Sequence, residues 1–223
     1  MPSNSPNINF IISYLTMRRL IGILAIALPI IVVGGGYLQY GHKIEGSISG
    51  YYYTNMRDFF VGLLSGVSLF LISYKGYEKI DDIIGNLSGL CALGMVLFPT
   101  GMFSNRILKV GIFLIDDNTS AIIHLIFASL FFVLLAFNSI FLFTKSATGI
   151  FTREKKRRNV IYRLCGIVML LSMLCIIVYS TFWKYSYLSK LNPVFFFETI
   201  ALISFGISWL IKGETMLKDK ITD

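Results

Sequence analysis

Apolar runs close to 20 residues long recur along this chain, and nothing else in it constrains the fold as strongly. A helix needs about 20 mostly apolar residues to cross about 30 Å of hydrocarbon. Six such runs stand at roughly residues 20–40, 59–75, 83–100, 121–144, 160–182 and 194–211, separated by short polar connections. Hydrocarbon offers no partner for backbone N–H and C=O groups, so each run must satisfy its own as a helix. The expected fold class is all-α: a polytopic integral membrane protein built as a six-transmembrane-helix bundle. The runs take up over half of the chain, so residues 1–223 read as a single transmembrane domain. Composition agrees, with 55% of residues hydrophobic and only 14% charged; a soluble domain carries about 25% charge.

The formal net charge of +8 has meaning only by position. With the N-terminus inside, more than twice as many Lys and Arg fall on inner segments as on outer ones. Such an excess in short cytoplasmic loops sets orientation during insertion. The expectation is therefore an N-in/C-in, multi-pass protein of the cell membrane. The basic balance reports topology and argues against a nucleic-acid partner. Its densest run, REKKRRN at 153–159, is expected as an inner loop that attracts anionic headgroups.

The first run follows Arg18-Arg19 and reads as a signal anchor rather than a cleaved leader. INFIISYLT at 8–16 is too short to span and is expected to lie along the inner interface. Pro29 and the glycines at 34–36 predict either a kink in the first helix or close packing against a neighbour. Residues 101–120 form the longest outer connection, with ILKVGIFLI expected as a surface-lying or re-entrant segment. Cys91, Cys165 and Cys175 fall inside spans, where they act as small apolar residues with no disulfide framework and no zinc site.

Ionisable side chains inside hydrocarbon each demand a reason. Asp58, His124 and Glu198 stand near the outer, N-terminal ends of the second, fourth and sixth spans, at a similar depth. Each also has a structural reading. Asn55-x-x-Asp58 resembles a helix-capping box, and His124 can be a neutral core histidine. Glu198, within NPVFFFETIAL, has no cation at i±3 or i±4 and must be paired across helices or held neutral. Upstream of the second span stands SISGYYYT at 47–54. Its Tyr51 and Tyr52 fit the aromatic belt of the membrane interface, while Ser47, Ser49 and Tyr53 join the three ionisable residues in an expected outer-leaflet pocket. The candidate ligand-binding set is thus Ser47, Ser49, Tyr53, Asp58, His124 and Glu198, with Asp58, His124 and Glu198 as catalytic candidates. Asn86 and Asn138 read as interhelical glue. No hydrolase, zincin, P-loop or dinucleotide motif occurs. With 2 His in the chain, a three-histidine site within one chain is excluded, two histidines plus carboxylates stay open, and neither cofactor nor resident metal is expected.

The stretch SISGYYYTNMRDFF resembles the polar signature that follows an early helix in two groups of proteins. One is a family of uncharacterised bacterial six-span membrane proteins, a domain of unknown function, to which RDFFVG, LFPT, IHLIFA and SWLIKGE are also similar. That resemblance implies a membrane protein without an assigned activity. The other is the superfamily of alkaline ceramidases, progestin/adiponectin-type receptors and hemolysin III proteins. There a Ser-x-x-x-His element, a downstream Asp and a late His-x-x-x-His bind zinc for lipid amide hydrolysis. Here Ser49-x-x-x-Tyr53 has the spacing and Asp58 matches the acid, but Tyr53 stands at the histidine position. The last helix offers Glu198 in place of the late pair, and the spans are six rather than seven.

Three functions follow as expectations. The first is binding or sensing of a lipid headgroup or small amphiphile in the outer pocket. Membrane lipids and a small-molecule or lipid ligand are then the partners, and homo-oligomerisation stays open. The second is intramembrane lipid hydrolysis of the ceramidase kind. The third is a proton-coupled transporter or channel in which Glu198 and His124 carry protons.

Overall fold

The computed structural model describes residues 8–40, 44–101, 109–146, 152–183 and 187–215. It is all-helical in its main elements: α1 (Ile8–Tyr40), α2 (Arg57–Ser73), α3 (Lys79–Leu97), α4 (Asp117–Phe137), α5 (Arg153–Val178) and α6 (Pro193–Lys212). Among the described residues, 5 helices are long and apolar enough to cross a membrane; α2, with 17 residues, is the shorter exception. At 1.5 Å per residue α2 reaches roughly 25 Å.

Each helix packs on its neighbours in the chain, and α6 returns against α1, so the six close into a ring. Small residues sit where helices cross. A Cβ added to Gly22 would stand 2.7 Å from the carbonyl oxygen of Gly206, and one added to Gly206 would stand 2.8 Å from that of Gly22. Between α2 and α3, Ser68 Oγ donates to the Gly89 carbonyl at 2.7 Å. Just past α4, Ser139 Oγ donates to the Tyr162 carbonyl of α5 at 2.8 Å. Backbones that approach this closely gain the dispersion and hydrogen bonding that hold helices together in lipid. Phe131, Phe205, Trp209 and Phe143 run through the core as an edge-to-face chain, with centroids 5.9, 6.2 and 5.1 Å apart. Outward-facing Leu69, Ile122 and Leu171 are 62%, 61% and 54% exposed. An apolar exterior of this extent suits hydrocarbon, not water.

Several elements differ from expectation. The 8–16 stretch is not a separate interfacial segment but the first turns of α1: no Gly or Pro interrupts 8–19, and an established helix adds residues easily. The basic run at 153–159 is likewise helix. Thr152 caps α5 by accepting the Lys155 N–H at 3.0 Å, and Glu154 sits in the favourable first turn. The capping box from Asn55 to Asp58 does not form; Met56 holds the cap position and its N–H goes to Thr54 Oγ1 at 3.1 Å. The described part of ILKVGIFLI, 109–115, belongs to a short hairpin. Lys109–Val110 pairs antiparallel with Ile115–Asp116, and Gly111 takes a φ of 70°, which closes a turn and ends any helix. Asp116 then caps α4, accepting the Thr119 N–H at 2.9 Å. Both α4 and α5 end in π-helical turns, Asn138–Leu142 and Tyr179–Trp183. Asn138 is buried there with neither side-chain polar atom bonded, so the expected interhelical bond is not made among the described residues.

Candidate functional site

Residues Ser49–Tyr53 form one 3-10 turn between α1 and α2. Its sequence supplies its own bonds. Ser47 Oγ accepts the Gly50 N–H at 2.9 Å, and Thr54 Oγ1 donates to the Tyr51 carbonyl at 2.9 Å. Such local hydroxyl-to-backbone bonds favour turns over long helices. The orphan amides at the start of the turn are met from α6. Glu198 Oε2 accepts the Ile48 N–H at 2.5 Å, with the Ser49 amide beside it. A carboxylate at a helical N-terminus satisfies both the bare N–H groups and the dipole. The start of α6 adds two more ties, Phe195 N–H to the Gly46 carbonyl at 3.1 Å and Asn192 Nδ2 to the Ile44 carbonyl at 3.3 Å.

The three tyrosines of the turn do different things. Tyr51 and Tyr52 are buried, which corrects the aromatic-belt expectation: Tyr51 lies against Gly36 of α1. The Tyr52 hydroxyl accepts from Arg57 at 2.7 Å, with the guanidinium 4.4 Å over its ring. Tyr53 donates its hydroxyl proton to the Thr100 carbonyl at 2.5 Å, joining the turn to the end of α3. Burial, reinforced by Tyr52 and Asp117 nearby, pushes the Tyr53 phenol up to about 12. Burial also raises Tyr51, with Glu45 beside it.

His124 sits one side of the same region. Its Nδ1 lies 2.9 Å from the Phe98 carbonyl and 3.2 Å from that of Met95. Carbonyl oxygens only accept, so Nδ1 carries a proton and Nε2 is the ring nitrogen left for another partner. Ser120 Oγ similarly serves the Pro99 carbonyl at 2.7 Å. The first turns of α4 thus satisfy carbonyls that α3 leaves open where LFPTG ends it.

Between the turn, α4, α5 and α6 lies a cavity of about 650 Å³. Ser47, Ser49, Tyr53, His124 and Glu198 line it, with Leu125, Phe132, Met173 and Ile176 on its apolar side. A smaller void of about 40 Å³, room for a few waters, shares Ser49, His124 and Glu198 and continues inward beside Leu64 and Met95. Five of the six expected pocket residues are therefore brought together. Asp58 is not among them: it is exposed on the first turn of α2 and lines neither void. Thr100, Asn118 and Ser180 also line the cavity, and no sequence signal singles them out. Thr100 is legible only as the end of a helix, and Ser180 is one hydroxyl at the end of an apolar run.

The site offers two carboxylates, Glu45 and Glu198, an imidazole and paired hydroxyls, Ser47 Oγ standing 3.3 Å from Ser49 Oγ, opposite an aliphatic and aromatic wall. Among the described residues no group of three or more His, Cys, Asp or Glu is placed to hold a metal ion. No protein-family model, no curated protein and no solved structure matches the chain.

Proposed function

We propose that this protein binds a lipid headgroup or small amphiphile in the cavity at the outer end of its bundle, as a six-span, N-in/C-in protein of a bacterial inner membrane. One observation carries the reading: a cavity of about 650 Å³ with a polar wall facing an apolar one. Ligand pockets run about 300–1,000 Å³ and combine apolar lining with a few convergent polar groups. A headgroup's hydroxyls and amides match Ser47, Ser49 and His124, and its chain matches Phe132 and Met173. The excess of basic residues at the opposite end supports the orientation.

The test is lipid analysis of protein extracted directly into nanodiscs. A lipid or amphiphile enriched over the bulk membrane is expected with the wild type and lost in Ala128→Trp, which fills the cavity from α4. A lipid profile equal to the bulk membrane in both proteins would end this reading. A second reading, hydrolysis of the bound lipid, is favoured by His124 alone, an imidazole that lines the same cavity as Glu198. It predicts turnover of an amide or ester lipid that His124→Ala abolishes. Turnover unchanged in that variant would assign the activity elsewhere.

A further inference from the structure

The polar wall of the cavity of about 650 Å³ carries negative charge. Glu45, just ahead of the 3-10 turn, and Glu198 of α6 both line it, and no Lys or Arg stands among its described lining residues. Glu45 is half-buried and enters no ion pair among the described residues. Glu198 serves the Ile48 N–H with Oε2. A neutral amide offsets only part of what a carboxylate loses on leaving water. Carboxylates inside a membrane bundle are kept where they pair with another charge, a bound ligand's included.

The groups around these acids point the same way. Arg57 and Asp117 flank the wall and act on Tyr53 with opposite signs. The Arg57 guanidinium is taken up by the hydroxyl and ring of Tyr52, while Asp117 is buried at the start of α4. His124, only 7% exposed, lines the cavity with Nε2 left over once Nδ1 has met the carbonyls of Met95 and Phe98. The lining also includes the Ser47 and Ser49 hydroxyls and the rings of Tyr53 and Phe132. An ammonium has donors and no acceptor, and carboxylates, hydroxyl oxygens and aromatic rings are the groups that receive it. A phosphate or carboxylate head would instead meet two like charges in a pocket of low dielectric, where repulsion is strong.

We propose, resting on the reading of this cavity as an amphiphile site, that its ligand is a cationic amphiphile without a phosphate. Glu45 and Glu198 hold the ammonium head, and the alkyl chain lies along Leu125, Phe132, Met173 and Ile176. The test titrates the full-length protein in a neutral detergent with decylammonium, decanol and decanoate, which share one chain and differ in head charge. Bound mass by native mass spectrometry and the thermal midpoint are read for each. Decylammonium is expected to bind the wild type about tenfold more tightly than the other two. Glu45→Gln should weaken decylammonium about fivefold and leave decanol unchanged. Glu214→Gln, which removes an exposed acid at the other end of the bundle, should alter neither. Glu198→Gln should act in the same direction as Glu45→Gln; because it also unties the turn, Glu45→Gln is the deciding variant. Equal affinity for the three heads, lost in Ala128→Trp, would overturn the cationic ligand and leave the amphiphile site standing. Binding of none of them would remove both. A preference for decylammonium that Glu45→Gln leaves intact, or that Glu214→Gln reduces as much, would also overturn the proposal.

Discussion

Glu198 has its carboxylate committed to backbone amides and still forms part of the cavity wall. Replacing one oxygen by an amide group puts a donor where the Ile48 N–H needs an acceptor. Glu198→Gln should therefore cost about 1.5–3 kcal/mol of stability, the range for a hydrogen bond to a charged group. Amide hydrogen exchange should rise selectively at 48–53, and unchanged protection there would refute the capping role. Tyr53 gives a pH signature from the same turn. Its phenol is held near 12 when folded against about 10 for a free tyrosine. The protonated form is the one the fold favours, so its contribution is complete below pH 10 and is lost as pH rises from 10 through 12. A wild-type stability decline in that window should be shallower in Tyr53→Phe. The Glu198 problem is legible in the sequence, because no cation lies within a helical turn. Its solution is not, since the partner is a main-chain amide that any residue at 48 supplies. Asp58 shows the converse: its place in a first helical turn is legible, but a shared depth with His124 and Glu198 does not bring it to a cavity it never reaches.

At the scale of elements, the crossing of α1 and α6 leaves no space for a methyl group. Gly206→Ala drives a Cβ toward a backbone oxygen of Gly22, which cannot rotate away, so the helices must separate at a cost of about 1–3 kcal/mol. A Cβ added to Gly62 of α2 would meet nothing within 4 Å, and Gly62→Ala should be neutral or stabilising by up to about 1 kcal/mol. Denaturation of the two variants in mixed micelles checks the contrast; equal effects would dismiss the close crossing. Thr152→Ala should remove about 1 kcal/mol by uncapping α5. Long apolar helices are plain from hydropathy, while their ends are not. The 153–159 run has the look of a loop only if charge is equated with solvent exposure. In fact Thr152 starts the helix there and buries Lys155 and Arg158 on its inner face. The hairpin at 109–116 leaves no trace in the pattern because two-residue strands have no periodicity to read, and only Gly111 marks the turn.

At the scale of the molecule, the ring places the hairpin and the turn before α3 at opposite ends. Under the proposed topology, a cysteine at Phe113 should react with an impermeant maleimide in intact cells, and one at Glu78 only after permeabilisation. Labelling of both from the same side would mean that α3, the helix between them, does not cross, and would overturn the six-span arrangement. That helical neighbours in sequence would be neighbours in space follows from the short connections. The closing contact of α6 on α1 follows from no local signal, since it depends on glycines 184 residues apart.

The bond from Glu198 to Ile48 also bears on the order in which the molecule is made. Its two ends are separated by 150 residues, so the turn before α2 emerges from synthesis well before its anchor exists. Until α6 enters the bundle, that turn has bare amides and the ring has a gap. A chain that lacks its final helix therefore lacks Val194 and Glu198, the part of the cavity wall that also ties down this turn.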